Sequence, residues 1–296
     1  MVIPLSHTRT DSLKKLYQPF GVELSVLRLD LLHPVVSGNK WFKLGPWLAE
    51  AIAHEKHTVI TFGGAWSNHL VATAAACRSA GLGSIGIVRG EEPPVLSPTL
   101  VDARQFGMQL VFVPRNVYAT KEIPSSMMHL LPNSLVIGEG GYGAPGRDGA
   151  AQIASLPHVH EHTHSVVAVG TGTTLAGLVC GTGGHQSVTG IPVVNDDGLP
   201  DAIRSLLPPA LHDRFRLQAG FSFGGYAKKT GELVRFMNDW FRSTGIPSDL
   251  VYTGKLFFAA DSLARNGFFP AGSRVLVIHS GGLQGNRSLP AGTLNF

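Results

Sequence analysis

Short apolar runs alternate along the chain with longer segments in which apolar residues recur at helical spacing. The runs are rich in Val, Ile and Leu and predict buried strands, and the segments between them predict helices. In the first half of the chain the predicted strands are 22–29, 58–62, 84–90 and 108–114. The predicted helices there are 41–55, 68–80 and 98–107. Repeated strand–helix alternation is typical of a parallel sheet covered by helices.

A second series of elements follows a glycine-rich segment at residues 138–149. Its predicted strands are 166–169, 191–195 and 274–280, and its clearest predicted helix is 230–245. The two series together predict an α/β fold with two open, twisted, mostly parallel sheets that carry helices on both faces. We expect a smaller inserted domain at residues 43–150 and a larger domain built from residues 1–42 and 151–296.

The composition favours a large buried core and excludes several classes of protein. Charged residues make up 15% of the 296 residues, against roughly 25% in typical globular chains, which excludes a disordered protein. The net charge of +4 is scattered, without the basic stripe of a nucleic-acid-binding protein. No apolar run approaches the roughly 20 residues that span a bilayer, and the N-terminus has no signal-peptide core. We therefore expect a cytoplasmic protein with neither a nucleic-acid nor a membrane partner, no metal, and two buried reduced thiols at Cys77 and Cys180.

One segment has the pattern of a phosphate-binding turn, because the predicted strand 166–169 runs into a Gly/Thr turn and then a helix. Glycines let the backbone approach an anion, and the amides at a helix start point towards it. The turn is not a Walker loop, since no Gly-Lys-Ser/Thr follows. The candidate phosphate-binding residues are Gly170, Thr171, Gly172, Thr173 and Thr174.

Two other interpretations of this turn stay open. One is an ordinary tight turn between a strand and a helix. The other is a dinucleotide site, because Asp196 and Asp197 follow the next strand, where a ribose-binding acid is usual. Leu175 stands where the third glycine of that fingerprint belongs, and this disfavours a nicotinamide-dependent oxidoreductase.

A similar strand–turn–helix segment covers residues 58–76 and places Ser67, Asn68 and His69 at the helix start. Ser and Asn are favoured helix caps, so capping alone explains two of them. A helix N-terminus also favours anions, and the same residues would suit a substrate carboxylate. Two anion sites, one in each domain, predict a cleft between the domains.

The segment SGNKWFK at residues 37–43 contains the candidate nucleophile Lys40. Most lysines are simply solvated. A lysine that is desolvated loses its charge readily and can bond covalently to an aldehyde. Lys43 is the competing candidate.

Five motifs together resemble a known family. They are GNKWFK, GGAWSNH, GTGTT, VYTGK at residues 251–255 and HSGG at residues 279–282. Their order is similar to that in the pyridoxal-phosphate enzymes of the tryptophan synthase β-like fold, also called fold type II. The chain most resembles the D-cysteine desulfhydrase and 1-aminocyclopropane-1-carboxylate deaminase family, from about residue 22 to residue 285.

The resemblance implies how pyridoxal 5′-phosphate is held. Lys40 would bond covalently to the cofactor's aldehyde carbon. The residues of the GTGTT turn would bind its phosphate, Asn68 its phenolic oxygen, and Ser280 its pyridine nitrogen.

The resemblance also implies a substrate side. Ser67, Asn68 and His69 would face the carboxylate of a small amino acid, and Thr253 would bind the substrate. Lys40 and Ser67, with two tyrosines that line the substrate side, would be the catalytic residues. These tyrosines are Tyr226 and Tyr252. A dimer is common in this family, so the resemblance implies a homodimer.

Two positions bear on the substrate. By the resemblance, the deaminases carry an acid and a leucine where this chain has Thr253 and Ser280, whereas the desulfhydrases carry hydroxyl residues at both. A serine cannot keep the pyridine nitrogen protonated as a carboxylate does. Without that proton the cofactor ring withdraws electrons less strongly. Elimination of a thiolate, which is a good leaving group, should be affected less by this than opening of a cyclopropane ring. We therefore expect β-elimination of D-cysteine to pyruvate, sulfide and ammonia.

Two alternatives of different kinds stay open. One is a 1-aminocyclopropane-1-carboxylate deaminase. The other is an amino-acid-binding homologue with weak or no catalysis, because Trp41, Phe42 and Trp66 are bulkier than the residues usual in the family and are expected near the pocket.

Overall fold

The computed structural model describes residues 8–296 and contains two sheets flanked by helices. The strands are β1 (Thr10–Ser12), β2 (Glu23–Arg28), β3 (Thr58–Gly63), β4 (Gly83–Arg89), β5 (Met108–Val113), β6 (Ser134–Ile137), β7 (His164–Val169), β8 (Ser187–Pro192), β9 (Phe215–Leu217) and β10 (Arg274–His279). The α-helices are α1 (Lys14–Tyr17), α2 (Asn39–Ala53), α3 (Asn68–Ser79), α4 (Pro98–Gln105), α5 (Arg115–Ala119), α6 (Ala144–Ala151), α7 (Thr173–Gly181), α8 (Leu199–Arg204), α9 (Gly231–Thr244) and α10 (Thr253–Arg265).

Both sheets are mostly parallel, which confirms the predicted fold class. The larger sheet has the strand order β1-β2-β10-β7-β8-β9, in which β1 and β2 are antiparallel and the other neighbours are parallel. The smaller sheet has the order β5-β4-β3-β6 and is parallel throughout. Because β2 pairs with β10, the first strands of the chain join the sheet that the C-terminal half builds. The exact domain boundaries, after residues 42 and 150, stay a prediction.

Most predicted elements lie within a few residues of the observed ones, and the strand expected at 191–195 is the exception. The observed strand, β8, is Ser187–Pro192 and pairs with β7 and β9 from its first residues. Thr189 and Gly190 are buried in β8, but neither is apolar enough for the hydrophobic pattern of the sequence to extend the predicted strand to them. Helix α6 was not predicted either, because its residues APGRDGAA include two glycines and a proline with low helix propensity.

The larger sheet is buried on both faces. Val167 and Val169 of β7 pack in the core formed with α6, α7 and α8. Val166 and Ala168 point to the opposite face and pack with α9 and α10. This two-sided burial explains why the strands are unbroken apolar runs rather than alternating ones.

Helix α2 connects the cores of the two sheets. Phe42 packs in the core of the larger sheet, whereas Trp47 and Leu48 pack in the core of the smaller sheet. Pro46 lies inside α2 and has no N–H for the Phe42 carbonyl oxygen. Gly149 of α6 packs so close to that oxygen that a Cβ there would overlap it. The start of α2 is therefore fixed against both halves of the molecule.

Two simple expectations can be compared with the structure. No helix among residues 8–296 combines the length and the apolar character needed to cross a membrane. Cys77 is fully buried, as expected, but Cys180 is only half-buried; both are free thiols.

Candidate active site

A cleft opens where the carboxyl ends of β7 and β10 meet the first turns of α2, α3 and α7. This edge of a parallel sheet is the usual place for a ligand site. The cleft encloses about 630 Å³, part of it open to solvent. It is lined by Val35, Ser37, Asn39, Lys40, Lys43, Asn68, Gly140, Ala168, Val169, Gly170, Thr171, Gly172, Thr173, Thr174, Leu175, Tyr252, Ser280, Gly281, Gly282 and Gln284.

Lys40 is the second residue of α2 and lies in the wall of the cleft. Gly38 begins the helix with φ of 65°, and a Cβ there would overlap the carbonyl oxygen of Ser280. Lys40 Nζ donates a hydrogen bond to Asn39 Oδ1 at 3.1 Å, and Asn39 Nδ2 donates to Thr174 Oγ1 at 2.8 Å. Burial lowers the pKa of Lys40 to about 8, although the negative field of Asp249 opposes this. Asn39, which the sequence did not single out, thus links the lysine to the Gly/Thr turn.

Lys43 lies one turn further along α2 and also lines the cleft. It is 3% exposed, and its Nζ donates a hydrogen bond to the carbonyl oxygen of Gly140. Burial, with the nearby positive charge of Lys40, holds the pKa of Lys43 well below its usual value. Because the Lys43 amine is bonded to a backbone carbonyl oxygen of the cleft lining, the geometry favours Lys40 as the reactive amine.

The Gly/Thr turn lies beside Lys40, and all five of its residues line the cleft. Gly172 is the residue before α7 and has φ of 83°. A Cβ on it would overlap Ile203. Thr171 Oγ1 and Thr173 Oγ1 lie 3.0 Å apart and share a hydrogen bond. The first amides of a helix have no partner within it, so the turn presents N–H and hydroxyl donors to one point.

Of the three residues expected at the start of α3, only Asn68 lines the cleft. Asn68 Nδ2 donates to the Gly282 carbonyl oxygen at 2.8 Å, and its Oδ1 is buried without a partner in the described part of the chain. Ser67 caps α3, because its Oγ accepts the N–H of Leu70 at 3.3 Å. The contact of Ser67 with a substrate carboxylate stays a prediction.

His69 is buried beneath the cleft rather than exposed to it. Its Nε2 lies 2.8 Å from Thr61 Oγ1, which itself donates to the Ile137 carbonyl oxygen at 2.9 Å. The histidine must therefore donate from Nε2, which leaves Nδ1 without a proton and without a partner among residues 8–296. Burial, together with Lys40 and Lys43, holds the pKa of His69 well below its usual value. His69 is thus neutral, and its predicted role towards a carboxylate is not supported by its position.

Tyr252 lines the cleft immediately before α10, and the Tyr226 ring packs against the Tyr252 ring. The ring centroids of the two tyrosines are 6.0 Å apart in an edge-to-face arrangement. Tyr226 is 42% exposed and lies outside the lining itself. Burial, followed by the effect of Tyr226, raises the pKa of Tyr252 well above its usual value, so its hydroxyl stays protonated and can donate.

Thr253 does not reach the cleft, which corrects the expectation that it binds the substrate. It is fully buried, and its Oγ1 donates to Asp249 Oδ1 at 2.9 Å and accepts the Asp249 N–H at 2.7 Å. The Asp249 carboxylate also accepts the N–H groups of Val251, Tyr252 and Thr253. Asp249 therefore fixes the turn that carries Tyr252. Burial raises the pKa of Asp249, and these hydrogen bonds oppose the rise.

Ser280 follows β10 and lines the cleft, as expected. Its carbonyl oxygen accepts the N–H of Asn39 at 3.2 Å. The preceding residue, His279, is buried: its Nε2 donates to the Pro247 carbonyl oxygen at 2.8 Å, and its Nδ1 accepts the Gly281 N–H at 3.2 Å. Burial lowers the pKa of His279, so a neutral imidazole shapes the turn.

The bulky residues expected near the pocket do not line it. Phe42 is 2% exposed and belongs to the core, and the Trp41 ring packs against His33 with centroids 5.4 Å apart. Trp66 is 37% exposed on the loop before α3. The wall instead contains Gln284, which the sequence did not indicate and whose Oε1 is buried without a partner in the described residues.

The dinucleotide interpretation finds no support at the site. Leu175 is 1% exposed and packs into the core from the first turn of α7. Asp196 is exposed, and its Oδ1 accepts the N–H of Gly198 at 2.9 Å. This hydrogen bond closes a local turn and gives the acid a structural role.

Comparisons with known proteins agree with the geometry. The profile of a family described as "Pyridoxal-phosphate dependent enzyme" matches residues 5–281. The chain is 30% identical over 296 residues to the bifunctional D-cysteine desulfhydrase/1-aminocyclopropane-1-carboxylate deaminase, mitochondrial, of Arabidopsis thaliana, which covers 90% of this chain and 74% of the relative. A crystal structure of an ACC deaminase homologue is 29% identical and has a TM-score of 0.81, covering 95% of this chain and 90% of that one. O-ureido-L-serine synthase has a TM-score of 0.70 over 99% of this chain and 95% of its own, but at 15% identity the likeness concerns the fold alone.

Proposed function

Because this chain belongs to the pyridoxal-phosphate-dependent enzymes of the D-cysteine desulfhydrase and 1-aminocyclopropane-1-carboxylate deaminase family, we propose that it converts D-cysteine and water to pyruvate, sulfide and ammonia. The fold is the tryptophan synthase β-like fold of these enzymes, and the family uses pyridoxal 5′-phosphate to act on small amino acids. The choice of D-cysteine is our own and rests on the cleft.

The residues of the cleft fit the cofactor. Two residues of the cleft lining have buried oxygen atoms without a hydrogen-bond partner among the described residues: Asn68 Oδ1 and Gln284 Oε1. A polar ligand bound in the cleft would supply partners for both atoms. The Gly/Thr turn would hold the phosphate, Lys40 would bond to the aldehyde carbon, and Ser280 would meet the pyridine nitrogen. The observation that carries the assignment is the chain of hydrogen bonds from Lys40 through Asn39 to Thr174, which joins the amine to the phosphate turn.

When it is bound, the cofactor supplies an electron-withdrawing ring that stabilises negative charge at the substrate Cα. The protein supplies the proton transfers. We propose that Lys40 Nζ takes the Cα proton, because burial lowers its pKa to about 8 and a sizeable neutral fraction exists near neutral pH. Tyr252 keeps its hydroxyl proton and would donate it towards the departing sulfur, and the edge-to-face contact with Tyr226 would hold its ring.

One property of the lining favours D-cysteine over 1-aminocyclopropane-1-carboxylate. Among the described residues, no carboxylate lines the cleft, and the residue at the expected pyridine end is Ser280. The neighbouring His279 is neutral and engaged on both ring nitrogens. Such a site would withdraw electrons only modestly, which suffices for a thiolate leaving group but disfavours ring opening.

An absorbance spectrum tests the cofactor and the reaction together. We expect a near-visible band that shifts when D-cysteine is added, with sulfide and pyruvate appearing in equal amounts. Lys40→Ala should lose the band, and the matched variant Lys43→Ala should keep it. A band that persists in Lys40→Ala, or a shift without sulfide, would contradict the proposal.

The second candidate function is deamination of 1-aminocyclopropane-1-carboxylate. The Arabidopsis relative carries both activities in its name, which favours testing both on this chain. Formation of α-ketobutyrate from that substrate, at a rate comparable to sulfide release from D-cysteine, would establish it. The proposed site predicts a rate at least about tenfold lower, which corresponds to about 1.4 kcal/mol in the barrier.

A further inference from the structure

Lys255 is a fully buried lysine on α10 that lies outside the cleft lining. Its Nζ donates two hydrogen bonds, to the carbonyl oxygens of Ser222 and Gly225, each at 2.7 Å. A buried amine is costly unless it is hydrogen-bonded, and here both partners belong to one segment of backbone. Lys255 therefore ties the segment 222–227 to the first turn of α10.

The backbone of this segment needs such a tie. Phe223 and Ala227 have φ of 51° and 55°, a left-handed conformation that is unfavourable for residues with a Cβ. Strained residues of this kind persist only where surrounding contacts hold them. Besides Lys255, the Phe223 ring packs edge-on against Phe258 of α10, with centroids 4.9 Å apart.

Tyr226 lies inside the segment held by Lys255. Its ring meets that of Tyr252, which lines the cleft three residues before Lys255 on the same turn. Tyr252 is fixed from below by the Asp249 carboxylate. Both tyrosines are therefore fixed at the start of α10. Tyr252 is fixed through its own backbone N–H, and Tyr226 is fixed through the hydrogen bonds that Lys255 makes to its segment.

We propose that Lys255 is a positioning residue that sets the orientation of Tyr226 against Tyr252. The inference rests on the proposed function, in which the tyrosine pair acts at the leaving group. Loss of the two hydrogen bonds would release the segment and let Tyr226 move away, without removing any group that lines the cleft.

The first test measures release of the segment independently of activity. Lys228 and Lys229 are exposed just beyond Tyr226 and offer trypsin sites. Lys255→Met should raise the rate of cleavage there about tenfold, because local opening no longer breaks two charge-assisted hydrogen bonds. The control is Lys56→Met, which removes a partly exposed lysine that donates to the Pro132 carbonyl oxygen at 2.7 Å. This variant should be cleaved at Lys228 and Lys229 like the wild type. Unchanged cleavage in Lys255→Met would overturn the proposal.

The second test asks whether Lys255 acts through Tyr226. With D-cysteine, Lys255→Met should lower kcat about tenfold and change KM little, while the absorbance band of the bound cofactor stays as in the wild type. In a Tyr226→Ala background, which removes the ring that Lys255 is proposed to hold against Tyr252, the same substitution should lower kcat less than about twofold. Equal losses in both backgrounds would show a general structural effect and overturn the proposal.

Two provisions separate the possible failures. If Lys255→Met does not fold, Lys255→Gln takes its place, because it keeps a buried N–H donor on a shorter side chain. Lys255→Gln should show an intermediate rise in the rate of trypsin cleavage, and no rise would overturn the proposal. If the wild type releases no sulfide from D-cysteine, the proposed function fails. The trypsin test still decides whether Lys255 holds the segment of Tyr226.

Discussion

The amine of Lys40 is the most informative single group in the molecule. Burial lowers its pKa to about 8, so it should react with aldehydes and acylating reagents near neutral pH, where an ordinary lysine with a pKa of roughly 10.4 does not. We expect the rate of Lys40 modification in the cofactor-free protein to rise with pH, to reach half of its maximum near pH 8 and to level off above about pH 9. Peptide mass spectrometry at several pH values measures this, and a rate still rising above pH 9.5 would contradict it.

Two glycines of the same helix region should respond in opposite ways to alanine. At Gly38 a Cβ would overlap the Ser280 carbonyl oxygen, and the positive φ adds strain. Gly38→Ala should therefore lower the free energy of unfolding by more than about 2 kcal/mol and weaken cofactor binding. At Gly45 a Cβ would meet no atom within 4 Å, so Gly45→Ala should stabilise α2 by about 1 kcal/mol. Denaturant unfolding compares the two, and equal effects would contradict the account.

At the scale of elements, the carboxylate of Asp249 should decide whether α10 begins where it does. It accepts three backbone N–H groups and the Thr253 hydroxyl, and the bonds from Val251 and Thr253 are buried. Asp249→Ala should cost more than about 2 kcal/mol of unfolding free energy, because these donors lose their acceptor. Asp201→Ala removes an 84%-exposed carboxylate from α8 and should change stability by less than about 0.5 kcal/mol. Similar midpoints of urea unfolding for the two variants would show that the cap is unimportant.

The elements were predictable from sequence wherever the apolar pattern was unbroken. β3, β4, β7 and β10 are buried runs, and α3 and α9 have clear capping residues. The position of β8 was predicted wrongly because its buried part contains Thr189 and Gly190, which are not strongly apolar. These two residues are buried because β8 pairs with β7 on one side and β9 on the other.

The candidate site was predictable to the extent that its residues lie in short local motifs. Lys40, Asn68 and Ser280 line the cleft as expected. Lys255 was missed because its role depends on partners that only folding brings into contact, the carbonyl oxygens of Ser222 and Gly225. Asp249 was missed although its partners are local, the N–H groups of residues 251–253. Thr253 was predicted to bind the substrate because the motif does not show where its hydroxyl points. In the structure the hydroxyl bonds the buried carboxylate of Asp249.

For the molecule as a whole, the buried lysines make stability depend on pH. The pKa values of Lys40 and Lys255 are lowered to about 8 in the folded protein, below the roughly 10.4 expected when unfolded. The unfolded chain then binds more protons between these values, so stability of the cofactor-free protein should rise from about pH 8 to about pH 10.4. Lys40→Met should show a smaller rise and be more stable than the wild type below pH 8. Urea unfolding across this range checks the sign, and a wild-type stability that rises no more steeply than that of the variant would contradict it.

Reduction of the cofactor-loaded protein with borohydride tests the covalent role of Lys40 directly. Borohydride converts the bond between a lysine and the cofactor's aldehyde carbon into a stable amine, and fragment mass spectra then locate the modified residue. We expect the modification on Lys40 and not on Lys43. Modification of Lys43, or no specific modification of any residue in the cleft, would contradict the assignment and the function built on it.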